Sequence, residues 1–116
     1  MNRRQTGSYY EEVAVRYLQE QQYQIVARNF RCRIGEIDVI ARDGEYLVFV
    51  EVKYRSSLKK GYPAEAVTRS KQQTIYRVAA WYLQSQGYAL DVRCRFDVVS
   101  ICGQEITLLK NAFGGF

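Results

Sequence analysis

A chain of 116 residues, 47% of them hydrophobic, is the size of one domain with one real core. No run approaches the roughly 20 apolar residues of a membrane span, and the absence of histidine excludes Ser-His-Asp and Cys-His catalysis and every His-ligated metal site. The net charge of +5 favours polyanionic partners.

The start, MNRRQTGSYYEE, has two arginines but no apolar segment of a signal peptide, so the expected location is the cytoplasm. SYYEEVAVRYLQEQQ (8–22) reads as a helix. Ser8 followed by Glu11 fits a capping box, and Val13, Ala14, Tyr17 and Leu18 form an apolar face. YQIVARNF (23–30) is rich in strand formers.

EIDVIA (36–41) alternates and YLVFVEVK (46–53) follows, with Asp43-Gly44 as a two-residue turn between them. That turn sets Arg42 opposite Glu45, Ile40 opposite Leu47, Asp38 opposite Phe49 and Glu36 opposite Glu51. One face then carries Glu36, Asp38, Ile40, Leu47, Phe49, Glu51 and Lys53. The other carries Ile37, Val39, Ala41, Tyr46, Val48, Val50 and Val52 and is core.

After a loose stretch, RSSLKKGYP (55–63), Pro63 could open a short helical turn. A second helix spans about 69–86, with Ile75, Val78, Ala79 and Tyr82 inward and Gly87 as its stop. RCRFDVVSI and EITLLK close the chain as strands. The order α-β-β-β-α-β-β predicts a single α/β or α+β domain over 1–116, a mixed sheet flanked by helices. Cys32, Cys94 and Cys102 are odd in number and form no C-x-x-C. Neither a disulfide framework nor a structural zinc site is expected.

The charged end of the hairpin is the chemical question. On this register Asp38 and Glu51 are diagonal neighbours, roughly 7–8 Å apart in the backbone. Glu36 faces Glu51, and two like charges at about 5 Å repel by roughly 3 kcal/mol at an effective dielectric near 20. Lys53 and nearby arginines, a cation, or protonation can offset that. Mg²⁺ and Mn²⁺ prefer oxygen ligands. Two convergent carboxylates with a lysine two residues on suit metal-assisted phosphodiester hydrolysis. The plainer alternative is a solvated sheet end whose ion pairs are worth little. Basic residues interleaved with tyrosines favour nucleic acid. The expected contacts are Arg31, Arg33, Arg55, Lys59, Lys60 and Lys71.

GEID followed by VFVEVK resembles the PD-(D/E)XK nuclease signature: Asp38, twelve intervening residues, then Glu51-Val52-Lys53. The wider run from YYEEVAVRYL through VEVKYR, then AVTRSKQQTIYRVAAWYL, CRFDVV and NAF, resembles the YraN family of small bacterial proteins. That family is assigned by similarity to the restriction-endonuclease-like fold, near the Holliday-junction resolvases.

The resemblance implies that Asp38 and Glu51 bind Mg²⁺ or Mn²⁺ and that Lys53 is the catalytic lysine, acting on DNA that is branched or flapped. Glu11 matches the first-helix glutamate that such enzymes bring towards the metal. Its cap reading stays open beside this one. Glu36 is a candidate third ligand or supporting group. Gln72 and Tyr76 match a Q-x-x-x-Y element of related nucleases, against the bland reading of an ordinary polar helix face. Two residues depart from the pattern: Ile37 stands where a proline is usual, and Tyr10 where a glycine precedes the helical glutamate. Resolvase-like relatives are often dimers, so a homodimer is one expectation, although the sequence carries no interface signature. A non-catalytic nucleic-acid-binding module of the same fold, or a protein-interaction subunit of a DNA-processing assembly, are the competing readings.

Overall fold

The computed structural model describes residues 3–55 and 67–114, with side chains from residue 7 onward. The loop turn expected at Pro63, Lys59 and Lys60 lie outside the described residues. The elements are α1 (Arg3–Glu20), β1 (Gln24–Arg31), β2 (Glu36–Asp43), β3 (Tyr46–Arg55), α2 (Arg69–Ser85), β4 (Cys94–Cys102) and β5 (Glu105–Phe113). The fold is α+β in the predicted order. The five strands form one sheet in the order β1-β2-β3-β4-β5. Only β3 and β4 run parallel, and α2 lies in the crossover that such a pair requires.

Each face of the sheet has its own core. Ile40, Leu47, Phe49, Phe96 and Val98 pack under Ile75, Val78, Ala79 and Tyr82 of α2. Val39, Ala41, Val48, Val50, Val99 and Ile101 pack under Ala14, Val15 and Leu18 of α1. The inward set of α2 is the one its spacing predicts. Thr68 caps that helix by accepting from the Lys71 N–H (3.1 Å), and Gly87, at φ 73°, ends it.

Three expectations are corrected. First, α1 begins at Arg3, so Ser8 lies inside the helix and cannot cap it, and Glu11 is an interior residue. The chain runs helically through Gly7, which Ser8's capping pattern had suggested it would not. Second, the β2–β3 loop is Gly44-Glu45. Asp43 pairs with Tyr46, Ile40 with Phe49 and Val39 with Val50. Gly44 supplies the positive φ of 60°, while Asp43 stays in the strand, where its carboxylate accepts from Arg95 (2.7 Å). The one-residue shift of the turn slides the register by two and preserves most of the facing pattern. Asp38 is thereby carried from opposite Phe49 to the level of Glu51, and Glu36 does not face Glu51. Third, Ile37 joins the α2 core and Tyr46 is exposed, where both were expected in the other core.

The reason for the Ile37 reversal is a local break in pleating. Ala27 pairs with Ile40 and Phe30 with Ile37, and all four pack on the α2 side although they are three residues apart in each strand. A regular strand would put residues three apart on opposite faces. Asn29 takes a left-handed conformation, φ 52°, in the gap, and Asp38 sits across from it. Beyond Val39 the β2–β3 ladder stops. The turn after β1 is closed by Cys32 and Gly35, which exchange backbone hydrogen bonds of 2.9 and 3.2 Å. Among the described residues no helix is long and apolar enough to cross a membrane.

Candidate active site

Asp38 stands where β2 leaves β3. Its Oδ2 accepts a hydrogen bond from the Val52 N–H at 2.9 Å, so the carboxylate takes the place that a β2 carbonyl would fill in a continued ladder. Glu51, next to Val52, is 6% exposed. The two carboxyls are hydrogen-bonded to each other. Burial raises the pKa of both. For Glu51, burial and the Asp38 charge push it up to about 7, against the opposing pull of Lys71 and Lys53. For Asp38, burial and the Glu36 charge raise it, while the Val52 N–H, Lys71 and the Glu51 hydrogen bond hold it down. Two acids so placed, one buried and one half-buried, favour holding a proton between them.

Lys53 and Lys71 supply positive charge to Glu51 from two elements. Lys71 lies in the first turn of α2, whose free N–H groups add to the same positive potential. This side of the pair is the basic one.

The other side is a cleft of about 620 Å³ between α1 and the β1–β2 end of the sheet, bordered by Tyr10, Glu11, Asn29, Glu36, Asp38 and Tyr54. Glu11 approaches Asp38 across it. Burial and the Asp38 charge raise its pKa, offset by the Asn29 amide, which donates to Oε1 (2.7 Å), and by Arg28 (3.6 Å). Glu36 is ion-paired with Arg31 at 2.9 Å. Glu51 and Lys53 do not line the cleft. Among the described carboxylates, Asp38 alone belongs to both sides.

The remaining predicted residues fall as follows. Arg33 is exposed in the β1–β2 turn and Arg55 ends β3. Gln72 donates its amide to the Val67 carbonyl (3.0 Å). Tyr76 lies against Phe96, ring centres 6.1 Å apart, and lines a separate cavity with Phe49. Among the described residues no three acidic or sulfur side chains come together as a ready cage for a metal. The pair Asp38–Glu51 nevertheless suits a hard cation. Mg²⁺ is commonly held by one or two carboxylates, with water and phosphate oxygens completing its shell.

A family model described as the uncharacterised protein family UPF0102 matches residues 10–101. The chain belongs to this family. It is 51% identical over 116 residues to a UPF0102 protein of Lachnoclostridium phytofermentans, covering 100% of this chain and 98% of that one. It is 52% identical to one of Chlorobaculum tepidum (86% and 77%) and 46% identical to one of Klebsiella pneumoniae (96% and 88%). The stretch matched to UPF0102 begins at Tyr10 and contains every carboxylate and lysine placed above, while all of β5 lies beyond it.

Two groups of this UPF0102 chain escaped the sequence reading. One is the aromatic wall of the cleft, Tyr10 stacked on Tyr54 with ring centres 3.8 Å apart. Alternation does put Tyr54 on the face of Val52, and Tyr10 precedes Glu11, so the parts were visible but not their meeting. The other is Asp97, 0% exposed, which accepts from Tyr23 (2.6 Å), Arg95 (2.9 Å) and the Asn111 N–H (2.9 Å). A lone aspartate within the apolar run FDVVSI was the available signal.

Proposed function

We propose that the chain is a cytoplasmic, divalent-metal-dependent nuclease of the PD-(D/E)XK type, hydrolysing phosphodiester bonds in nucleic acid, with DNA as the first substrate to test. The observation that carries this reading is the pairing of half-buried Asp38 with buried Glu51 at the parting of β2 and β3, flanked by Lys53 and Lys71. Burying two carboxylates together is costly unless something positive is to join them. A bound Mg²⁺ or Mn²⁺ would supply Lewis-acid stabilisation of the phosphate and a more acidic water.

The protein's own groups divide the remaining work. Asp38 is fixed by the Val52 N–H and so presents one oxygen in a set direction. Glu51, in its ionised form, would be the second anionic ligand. Lys53 neutralises charge that develops on the phosphate, or orients the attacking water. Lys71 and the start of α2 draw the phosphodiester backbone to the basic side. Glu11 and Glu36 stand behind Asp38, held by Asn29, Arg28 and Arg31.

The first test is Mn²⁺ binding by calorimetry, without nucleic acid, on wild type and on Asp38→Asn. Binding should appear in wild type and vanish in the variant. Metal-dependent cleavage of DNA should then fall by about 100-fold or more in Asp38→Ala and in Lys53→Ala, with thermal melting retained. Full cleavage by both purified variants overturns the assignment. The lack of a third converging ligand among the described residues favours a second reading, a binding module of the same fold without turnover. Both readings predict binding that weakens with salt. Metal-dependent cleavage separates them.

A further inference from the structure

The cleft beside Asp38 has an aromatic shelf that phosphodiester chemistry does not use. Tyr54 of β3 and Tyr10 of α1 stack nearly parallel, centres 3.8 Å apart and planes 14° from one another. Tyr9 meets Tyr10 edge-on at 5.0 Å. The shelf is open to solvent: Tyr54 is 43% and Tyr9 54% exposed, whereas the core tyrosines Tyr23 and Tyr82 are 3% and 5%. Stacking against Tyr10 fixes the plane of Tyr54, so little further ordering is needed for a third ring to join. The Tyr54 hydroxyl beside that of Tyr10 pushes the Tyr10 pKa up to about 12.

The rest of the wall says what kind of ring it is. Among the described residues, Glu11, Glu36 and Asp38 border the cleft against one arginine, Arg31. That lining repels phosphate and suits an uncharged planar group. Asn29, with its amide donated to Glu11, adds a fixed polar side chain to the wall. The volume of about 620 Å³ lies within the range of small-molecule sites. Phosphates belong instead on the Lys53 and Lys71 side, so a nucleotide chain crossing Asp38 would have its backbone on one side and a base on the other.

We propose that this cleft stacks one unpaired nucleobase of the substrate on Tyr54, so that the strand is single at the point where it meets Asp38. The proposal rests on the nucleic-acid reading above and names the substrate class of the same site. A base within a duplex has both faces covered by its neighbours and cannot offer one to a tyrosine without being extruded.

The experiment uses the full chain in excess EDTA, so that no cleavage occurs. The probes are a single-stranded oligonucleotide carrying one 2-aminopurine and the blunt duplex of the same sequence. Wild type should bind the single strand more tightly and quench the 2-aminopurine. Tyr54→Leu should weaken single-strand binding roughly ten-fold and abolish the quench, leaving duplex affinity unchanged, because base–aromatic stacking acts only on the exposed base. Tyr54→Phe, which keeps the ring, should retain both.

Equal binding of the two probes by wild type, a quench that survives Tyr54→Leu, or an equal loss on both probes overturns the shelf. If Tyr54→Leu melts well below wild type, Tyr54→Trp decides, since a larger ring should tighten the single strand alone and an unchanged affinity refutes the proposal. The nuclease reading fails separately, as absent Mn²⁺ binding or absent cleavage in a chain that still shows the Tyr54-dependent preference. No binding of either probe overturns the shelf, and the Mn²⁺ calorimetry still judges the metal site alone.

Discussion

Glu51 is the residue where burial and charge are most directly opposed. Its carboxyl is held up to about 7 by burial and by Asp38, while Lys71 and Lys53 pull the other way. The consequence for the metal-free protein follows from linkage. A carboxyl whose folded pKa lies above its unfolded value binds more protons in the folded state, between those two values. Stability therefore falls as pH rises through that window, and the full penalty is present above it. Moving the carboxyl from 4.5 to about 7 corresponds to roughly 3 kcal/mol. Asp38 and Glu11 are raised as well and act in the same direction. Asp43 and Glu12 are lowered by Arg95 and Arg28, so their contributions are lost only in more acidic solution. Denaturant unfolding in EDTA should show wild type gaining up to about 3 kcal/mol from about pH 8 to about pH 5. Glu51→Gln, which cannot titrate, should flatten most of that slope. Parallel profiles for the two proteins would contradict a raised Glu51 carboxyl.

At the scale of elements, the break that positions Asp38 is what the sequence could not announce. Alternation within EIDVIA and YLVFVEVK is enough to assign most residues to the correct face, because a register that slides by two keeps its parity. It says nothing of the point where two strands part. Asn29 reverses the pleat through a left-handed φ, a conformation asparagine tolerates but does not demand. Asp43-Gly44 was a sound turn signal read one position early, since Asp43 is claimed by Arg95, a partner 52 residues away. The helix α2 was fully legible, because its apolar stripe and its glycine stop are local features.

Gly35 shows what that helix asks of the hairpin. A Cβ at Gly35 would sit 2.9 Å from Thr74 Cγ2 and 3.5 Å from Val78 Cγ2. Gly35→Ala should therefore cost about 1–3 kcal/mol by overpacking. Thr74→Ser removes that methyl but keeps the hydroxyl that donates to the Ser70 carbonyl (3.2 Å). The double variant should recover most of the loss, as contacting residues couple. Additive effects in urea titrations would show that the close approach is not the cause.

Across the whole molecule, the distant strands are joined through an ionic cluster around the buried Asp97. Arg95 of β4 donates to Asp97 (2.9 and 3.0 Å), to Asp43 at the end of β2 (2.7 Å) and to the Tyr23 hydroxyl ahead of β1 (2.8 Å). Asp97 also receives the Asn111 N–H of β5. Four segments thus meet on the α1 side of the sheet, where apolar packing alone would not fix which polar groups must coincide. The cluster lies towards the β2–β3 turn, and the Asp38–Glu51 pair lies where those strands part, so the two can be perturbed separately. Arg95→Leu leaves Asp97 buried without its cation and should cost about 3–5 kcal/mol. Arg95→Leu combined with Asp97→Leu removes the stranded charge and should be markedly more stable than the single variant, since a buried ion pair replaced by apolar groups is often close to neutral. At temperatures where each variant is still folded, Mn²⁺ affinity should match wild type. A stability loss in the double variant equal to that in Arg95→Leu would mean that the cluster acts by geometry, holding the four segments in register, and not by compensating charge.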